Sequence, residues 1–279
     1  MTLSEIIKNA LQEDIGSGDH SSLASIPETA KGKMKLLVKE NGIIAGIGVA
    51  KEVLKQVDVS IVMKCFKNDG DEIKVGDIVF EIEGSARSML TAERTLLNFL
   101  QRMSGIATVS KQYADAVKGT KTKILDTRKT TPNLRELEKY AVKIGGSENH
   151  RFGLYDMIML KDNHIDFSGG IEKAIDATHE YLKKNDLDLK IEIETRTMEE
   201  VKRVVKHGKI DRIMLDNFTP ENIKEALTLI DGKYETEASG GITLNNIKEY
   251  ANTGVDYISI GALTHHIKSL DLSLKFIAL

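Results

Sequence analysis

The chain has 279 residues, is 41% hydrophobic and carries a formal net charge of −3, which allows a large core in one big domain or two modest ones. That charge gives a nucleic-acid partner no global electrostatic support, and a single cysteine, Cys65, excludes an internal disulfide framework or a cysteine-rich metal cluster. No run reaches about 18 apolar residues, so no membrane-spanning helix is expected.

The opening "MTLSEIIKNALQED" predicts an amphipathic helix, with Thr2 and Glu5 at capping-box spacing and Ile6, Ile7, Ala10 and Leu11 in one stripe. It lacks the basic start and long apolar core of a signal peptide, so a cytoplasmic location is the expectation. Residues 30–84 alternate in short runs, "KMKLLVKE", "GIIAGIG", "VSIVMKCF" and "DIVFEIEG", punctuated by Gly, Asn and Asp. They predict a small, mainly antiparallel sheet in which Cys65 is an inert, half-buried thiol. A long helical segment follows at roughly 88–118, with Leu96, Leu97, Leu100 and Met103 on one side.

From residue 121 the rhythm becomes strand then helix. The predicted strands are Lys123–Asp126, Met157–Lys161, Lys190–Glu194, Arg212–Asp216, Tyr234–Ser239 and Tyr257–Gly261. Helical segments near 133–144, 171–184, 197–206, 220–230 and 244–253 separate them. Alternation of this kind means βαβ units and a parallel sheet, closed into a barrel or left open.

Ligands of parallel α/β folds bind beyond the C-terminal ends of the strands. All six ends carry chemistry: Asp126-Thr127-Arg128-Lys129, Lys161-Asp162-Asn163-His164, Glu194-Thr195-Arg196, Asp216-Asn217, Ser239-Gly240-Gly241, and Gly261-Ala262 with His265 just beyond. A barrel would bring them within reach of one ligand, which favours the closed form. The last two ends have a phosphate-binding composition, because glycine lets backbone N–H groups approach phosphate oxygens. Glu194 and Asp216 offer hard oxygen ligands for Mg²⁺, although either could equally pair with Lys161. Arg128, Lys129, Arg151 and Lys161 form a cationic half that needs a polyanion, since Arg grips carboxylates with a planar fork and Lys supplies a point charge. Taken singly, His150 reads as a hydrogen-bonded structural histidine and Arg94 as an exposed helix charge. These residues predict a Mg²⁺-assisted enzyme on an α/β barrel that takes a phosphorylated substrate and a carboxylate-rich one. A Walker loop, a dinucleotide fingerprint and a Ser-His-Asp pattern are absent.

The segments "LTAERTLLNFLQRMSGIAT", "ILDTRKTTPNLRELEKYAVKIGG", "NHRFGLYDMIMLKDNH", "IEIE", "IMLDNF", "ASGGI" and "TGVDYISIGALTH" resemble, in order and spacing, the quinolinate phosphoribosyltransferase family. "ALQEDIGSGDHSS" resembles its N-terminal motif, so the likeness covers nearly the whole chain. The resemblance implies an N-terminal α/β sandwich with a mainly antiparallel sheet over residues 1–108, then an incomplete α/β barrel of six or seven strands over 109–279, whose last helix packs back on the first domain. It implies a homodimer, or a hexamer built as a trimer of dimers, with shared active sites. It implies transfer of phosphoribosyl from phosphoribosyl pyrophosphate to quinolinate with decarboxylation, in NAD synthesis, with Mg²⁺.

By resemblance, Arg128, Arg151, His150 and Lys161 belong to the quinolinate pocket with Arg94 from the partner subunit, while Thr127 lies in the same "DTRKT" block. Lys129 and Lys161 face phosphoribosyl pyrophosphate, and Glu194 and Asp216 serve ribose and Mg²⁺. Ser239, Gly240, Gly241, Gly261, Ala262 and His265 hold the 5′-phosphate. Lys161, Glu194 and Asp216 are the expected catalytic residues. One departure is "SENHR", where many relatives carry a "GGVNHR"-like run; Asn149 favours quinolinate over the aromatic acid of the related molybdenum-cluster transferase, which has "TH" there. The alternatives are that relative, a Schiff-base barrel aldolase using Lys161, and a non-catalytic sensor of a phosphorylated metabolite.

Overall fold

The Glu5 N–H donates to the Thr2 hydroxyl while the Thr2 N–H donates to the Glu5 carboxylate at 2.7 Å, and this expected capping box opens the first helix. The computed structural model describes residues 2–278. In chain order its elements begin with α1 (Leu3–Ile15), α2 (His20–Ser25), β1 (Lys31–Val38), β2 (Gly42–Ile43), α3 (Ile47–Val57), β3 (Val62–Cys65), β4 (Glu72–Ile73), β5 (Ile78–Ser85) and α4 (Ala86–Ala116). They continue through β6 (Lys123–Leu125), α5 (Arg135–Ile144), β7 (Ile158–Leu160), α6 (Asp162–Ser168), α7 (Ile171–Asn185), β8 (Ile191–Thr195), α8 (Met198–His207) and β9 (Arg212–Asp216). The last are α9 (Pro220–Ile230), β10 (Glu235–Ser239), α10 (Ile247–Ala251), β11 (Tyr257–Ser259), α11 (Ala262–His265) and β12 (Leu272–Ile277). No helix among the described residues is long and apolar enough to cross a membrane.

The chain forms two units: Met1–Lys111 with Thr130–Gly146 and Leu263–Leu279, and Gln112–Lys129 with Ser147–Ala262. In the first, an antiparallel sheet runs β12-β1-β5-β3. The alternation of β1 buries Met34, Leu36 and Val38 on one face. Two expectations change here. "GIIAGIG" is a strand only at Gly42–Ile43; Gly46, at φ +102°, turns the chain into α3, where Ile47, Ala50, Val53 and Leu54 recur at helical spacing. The C-terminal segment expected as a helix is strand β12, because "LSLKFI" alternates with period two and pairs with β1 from Leu272↔Val38 to Ile277↔Lys33.

In the second unit six parallel strands follow the order β6-β11-β10-β9-β8-β7. The first strand thus lies beside the last, which is a barrel order and not an open doubly wound one. No ladder joins β6 to β7 among the described residues. Instead Glu148 makes a single parallel bridge to Leu125, giving its N–H to the Ile124 carbonyl at 2.8 Å and taking the Asp126 N–H at 3.1 Å. The barrel is therefore incomplete, with six strands and a rudimentary seventh. Helices on its outside start where the sequence says they should: Thr197 caps α8, and Thr219 caps α9 with Pro220 in its first turn. Because every strand is parallel, all six C-terminal ends lie at one rim.

Candidate active site

At the end of β6, Asp126 is fully buried and accepts the His150 N–H at 2.8 Å. The next turn is tightened by the Lys129 N–H donating to Thr127 Oγ1 at 3.1 Å, which leaves Thr127 and Arg128 half-buried and Lys129 exposed. Arg151 is half-buried and anchored through Nη1 to the Met157 carbonyl at 3.0 Å. Burial and the adjacent charge of Arg128 both pull the Arg151 pKa down. Neighbouring guanidiniums that feel each other's charge favour the binding of an anion.

Lys161 follows β7 and caps α6, its N–H held by His164 Nδ1 at 3.0 Å. Its ammonium reaches Glu194 Oε2 on β8 at 3.4 Å. Burial, opposed by Lys161 and reinforced by the charges of Asp216 and Asp162, pushes the Glu194 carboxyl up. Carboxylates crowded in this way are the donor set a divalent cation relieves, so Glu194 and Asp216 fit Mg²⁺ in chemistry. Asp216 ends β9 and accepts from Asn217 Nδ2 at 2.6 Å. The Asn217 N–H in turn donates to the Ser239 carbonyl at 2.8 Å, tying the ends of β9 and β10 together. Gly240, at φ +92°, packs so closely on the Asn217 side chain that any Cβ would collide with it, and Gly241 follows at φ +64°.

Deeper in the barrel His150 meets Glu192, Glu237 and Arg212, three residues that the strand-end pattern does not point to. His150 Nε2 lies 3.0 Å from Glu192 Oε2 and 3.2 Å from Glu237 Oε2, with both carboxylates fully buried. Arg212 Nη1 lies 3.1 Å from Glu237 and 3.8 Å from Glu192. Burial and the neighbouring Glu237 push Glu192 up to about 7. Burial pulls His150 down, but the two carboxylates outweigh it and push it up to about 9. A second proton on His150 nevertheless has nowhere to go, because Nδ1 already accepts the Arg151 N–H at 2.7 Å. The extra proton at neutral pH is better placed on Glu192, whose own carboxyl is raised.

A cavity of about 600 Å³ opens at the other end of the barrel, against Lys121, Lys190, Asp211, Glu235, Asp256 and Tyr257. Its charges serve each other, with Lys121 on Asp256 at 2.7 Å and Asp211 accepting the Ile191 N–H at 2.7 Å. It adjoins the N-terminal strand ends, where barrels carry stability and not chemistry.

The family model for the C-terminal domain of quinolinate phosphoribosyl transferase matches residues 106–275, and that for the N-terminal domain matches 19–104. The chain belongs to the quinolinate phosphoribosyltransferase family. A decarboxylating quinolinate phosphoribosyltransferase of Nicotiana tabacum, 2b, mitochondrial, is 46% identical over 288 residues, covering 98% of this chain and 82% of the relative. The probable carboxylating nicotinate-nucleotide pyrophosphorylase of Bacillus subtilis is 40% identical, covering 98% and 93%. The crystal structure of NadC from Streptococcus pyogenes superposes with a TM-score of 0.93 at 42% identity, covering 99% of this chain and 97% of the other. This family fold accounts for both sheets.

Within this quinolinate phosphoribosyltransferase chain, the second unit holds Thr127, Arg128, Lys129, His150, Arg151, Lys161, Glu194, Asp216, Ser239, Gly240, Gly241, Gly261 and Ala262. Lys161 and Glu194 meet directly, and Arg128 and Arg151 feel each other's charge. Arg94, exposed on α4, and His265, exposed in α11 beside His266, belong to the first unit. The signal that could have exposed the buried cluster is the alternation in "IEIE", which puts Glu192 on the same face as Glu194.

Proposed function

We propose that this enzyme transfers the phosphoribosyl group of phosphoribosyl pyrophosphate to quinolinate and releases CO₂, giving nicotinate mononucleotide and pyrophosphate for NAD synthesis. The carrying observation is the half-buried pair Arg128 and Arg151 at the β6 side of the rim, with Arg151 held by the Met157 carbonyl at 3.0 Å and its pKa lowered first by burial and then by the Arg128 charge. An aromatic dicarboxylate matches such a pair, because Arg forks bind carboxylates two-pronged.

In this reading the pyridine nitrogen attacks C1 of the ribose while the bond from C1 to the pyrophosphate oxygen breaks, its electron pair leaving with pyrophosphate. The nitrogen is itself the nucleophile, so the bond needs no general base. Lys129 and Lys161 place positive charge where charge develops on the leaving group. The 2-carboxylate then departs as CO₂, its bonding electrons stabilised at C2 by the quaternised ring nitrogen until a proton replaces them. Mg²⁺, held by Glu194 and Asp216 together with substrate oxygens, supplies Lewis-acid charge when bound. Ser239, Gly240, Gly241, Gly261, Ala262 and His265 are proposed for the 5′-phosphate, supported by the positive φ of Gly240 and Gly241 in the turn after β10.

The proposal includes a homodimer, or a hexamer of such dimers, in which Arg94 completes the neighbouring subunit's site; its support is an exposed cation on α4. It includes a cytoplasmic location. The test is incubation with carboxyl-labelled quinolinate, phosphoribosyl pyrophosphate and Mg²⁺. Stoichiometric nicotinate mononucleotide and CO₂ are expected, and absence of either overturns the assignment. Glu194→Gln should shift the Mg²⁺ activation curve to higher concentration, and an unchanged curve rules out the metal role.

A further inference from the structure

The buried cluster beneath the site has a geometry that its stability does not require. Four ionisable side chains, Glu192 on β8, Arg212 on β9, Glu237 on β10 and His150 after the Glu148 bridge, meet inside the barrel, with His150, Glu192 and Glu237 buried. Buried charge networks are often no more stabilising than apolar side chains of the same volume. Their distinctive product is a single fixed arrangement of donors and acceptors.

Here the backbone and Nδ1 of His150 are held by hydrogen bonds, while Nε2 is set by charge, close to two carboxylates without well-aligned hydrogen bonds. The His150 N–H donates to Asp126 Oδ1 at 2.8 Å, which fixes the backbone. Nε2 faces two carboxylates, at 3.0 and 3.2 Å, so the ring proton belongs there. Nδ1 is consequently the acceptor, and it takes the Arg151 N–H at 2.7 Å. Arg212 approaches the same carboxylate oxygens: Nη1 donates to Glu237, Nη2 donates to Glu235 at 3.0 Å, and its guanidinium lies over the Tyr257 ring at 4.1 Å.

We propose that Glu237, Glu192 and Arg212 are positioning residues that lock His150 in its Nε2–H tautomer, so that Nδ1 fixes the Arg151 backbone and with it the guanidinium that receives the aromatic diacid. This rests on the proposed function for the identity of the diacid. The lock itself is a property of the protein alone. A ring protonated on Nδ1 turns the acceptor at 2.7 Å into a donor facing a donor, and a flipped ring puts a C–H there; either way the Arg151 backbone loses its tie, and only the Met157 carbonyl holds the guanidinium beside Arg128.

Two measurements test the lock. The first is ¹⁵N NMR of this chain labelled at its seven histidines, with His150 assigned by comparison with His150→Gln. We expect Nε2 protonated and Nδ1 bare from about pH 6 to about pH 8, where a free histidine would titrate. An Nδ1–H tautomer, a doubly protonated ring, or titration near the ordinary value of about 6.5 overturns the proposal.

The second is steady-state kinetics of Glu237→Leu and Glu237→Gln, each checked for folding by its melting curve. Gln keeps a carbonyl acceptor at position 237, whereas Leu leaves Nε2 facing Glu192 alone, whose carboxyl is itself raised toward its neutral form. Glu237→Leu should raise KM for quinolinate about tenfold, the order expected for one lost charge-assisted hydrogen bond, with KM for phosphoribosyl pyrophosphate unchanged. Glu237→Gln should restore KM for quinolinate to near the native value. A loss shared equally by both substrates, or Gln as impaired as Leu, indicates a merely structural role and overturns the proposal. Should the native protein not act on quinolinate, the proposed function fails, while the NMR outcome still decides the lock. Should Glu237→Leu not fold, the NMR of the native protein decides it alone.

Discussion

Lys161 and Glu194 join the ends of two neighbouring barrel strands, Nζ to Oε2 at 3.4 Å, with the lysine exposed and the carboxylate buried. The pair sets a cation toward solvent and an anion toward the barrel within one contact. A substrate that carries a phosphate chain can engage the first while a divalent cation engages the second. Around this pair the other strand ends supply more cations on the β6 side and glycine backbone on the β10 side.

Arg128→Ala should abolish turnover mainly through loss of quinolinate binding. Calorimetric titration of the variant with quinolinate checks it; binding at native affinity would show that Arg128 does not hold the diacid.

Glu192 makes stability depend on pH in a specific direction. Its folded pKa, about 7, lies above that of an ordinary glutamate, so stability is fully present below the unfolded value and is lost as pH rises through the folded one. Glu192→Gln mimics the protonated form. Its melting temperature should match the native protein near about pH 5 and exceed it by a few degrees at about pH 8. A gap that does not grow with pH contradicts the buried titration.

In the first unit, Glu138 is 1% exposed and receives Arg102 Nε at 2.8 Å and Nη2 at 2.6 Å. Arg102→Met strands that carboxylate and should cost about 3 kcal/mol of unfolding free energy. Adding Glu138→Leu should recover part of the loss. Denaturant melts of the single and double variants measure this, and a double variant no more stable than Arg102→Met alone would refute it.

Gly240→Ala forces a side chain into a positive-φ position against Asn217. It should cost about 1 kcal/mol or more of stability and raise KM for phosphoribosyl pyrophosphate. An unchanged KM in a folded variant removes this turn from the phosphate site.

Mixing Arg94→Ala subunits with Lys161→Ala subunits, each inactive alone, should restore partial activity because some mixed dimers carry one intact site. Demonstrated subunit exchange without rescue would count against shared sites.

Much of this was legible in the sequence because position along a strand carries meaning. Arg212–Asp216 and 220–230 form the strand and helix expected of them, since a buried apolar run ending at Asp, then Thr-Pro, leaves little freedom. The polar strand ends could be read for the same reason. What could not be read came from tertiary partners. The alternation of Glu192 and Glu194 in β8 looks like that of a half-exposed strand, yet all five residues of β8 are buried, because Arg212 and His150 occupy the interior opposite Glu192. Likewise "GIIAGIG" keeps its apolar count whether extended or helical, and the left-handed turn at Gly46 decides between them.

Strand β12 has a consequence for synthesis. It is the edge partner of β1, yet it emerges from the ribosome only after every strand of the second unit. A nascent chain therefore holds β1 with one side unpaired while the barrel is being made, and such long-range pairings close slowly. Messages truncated before Leu272 would yield a protein with its barrel strands intact and a bare β1 edge, open to pairing with another chain.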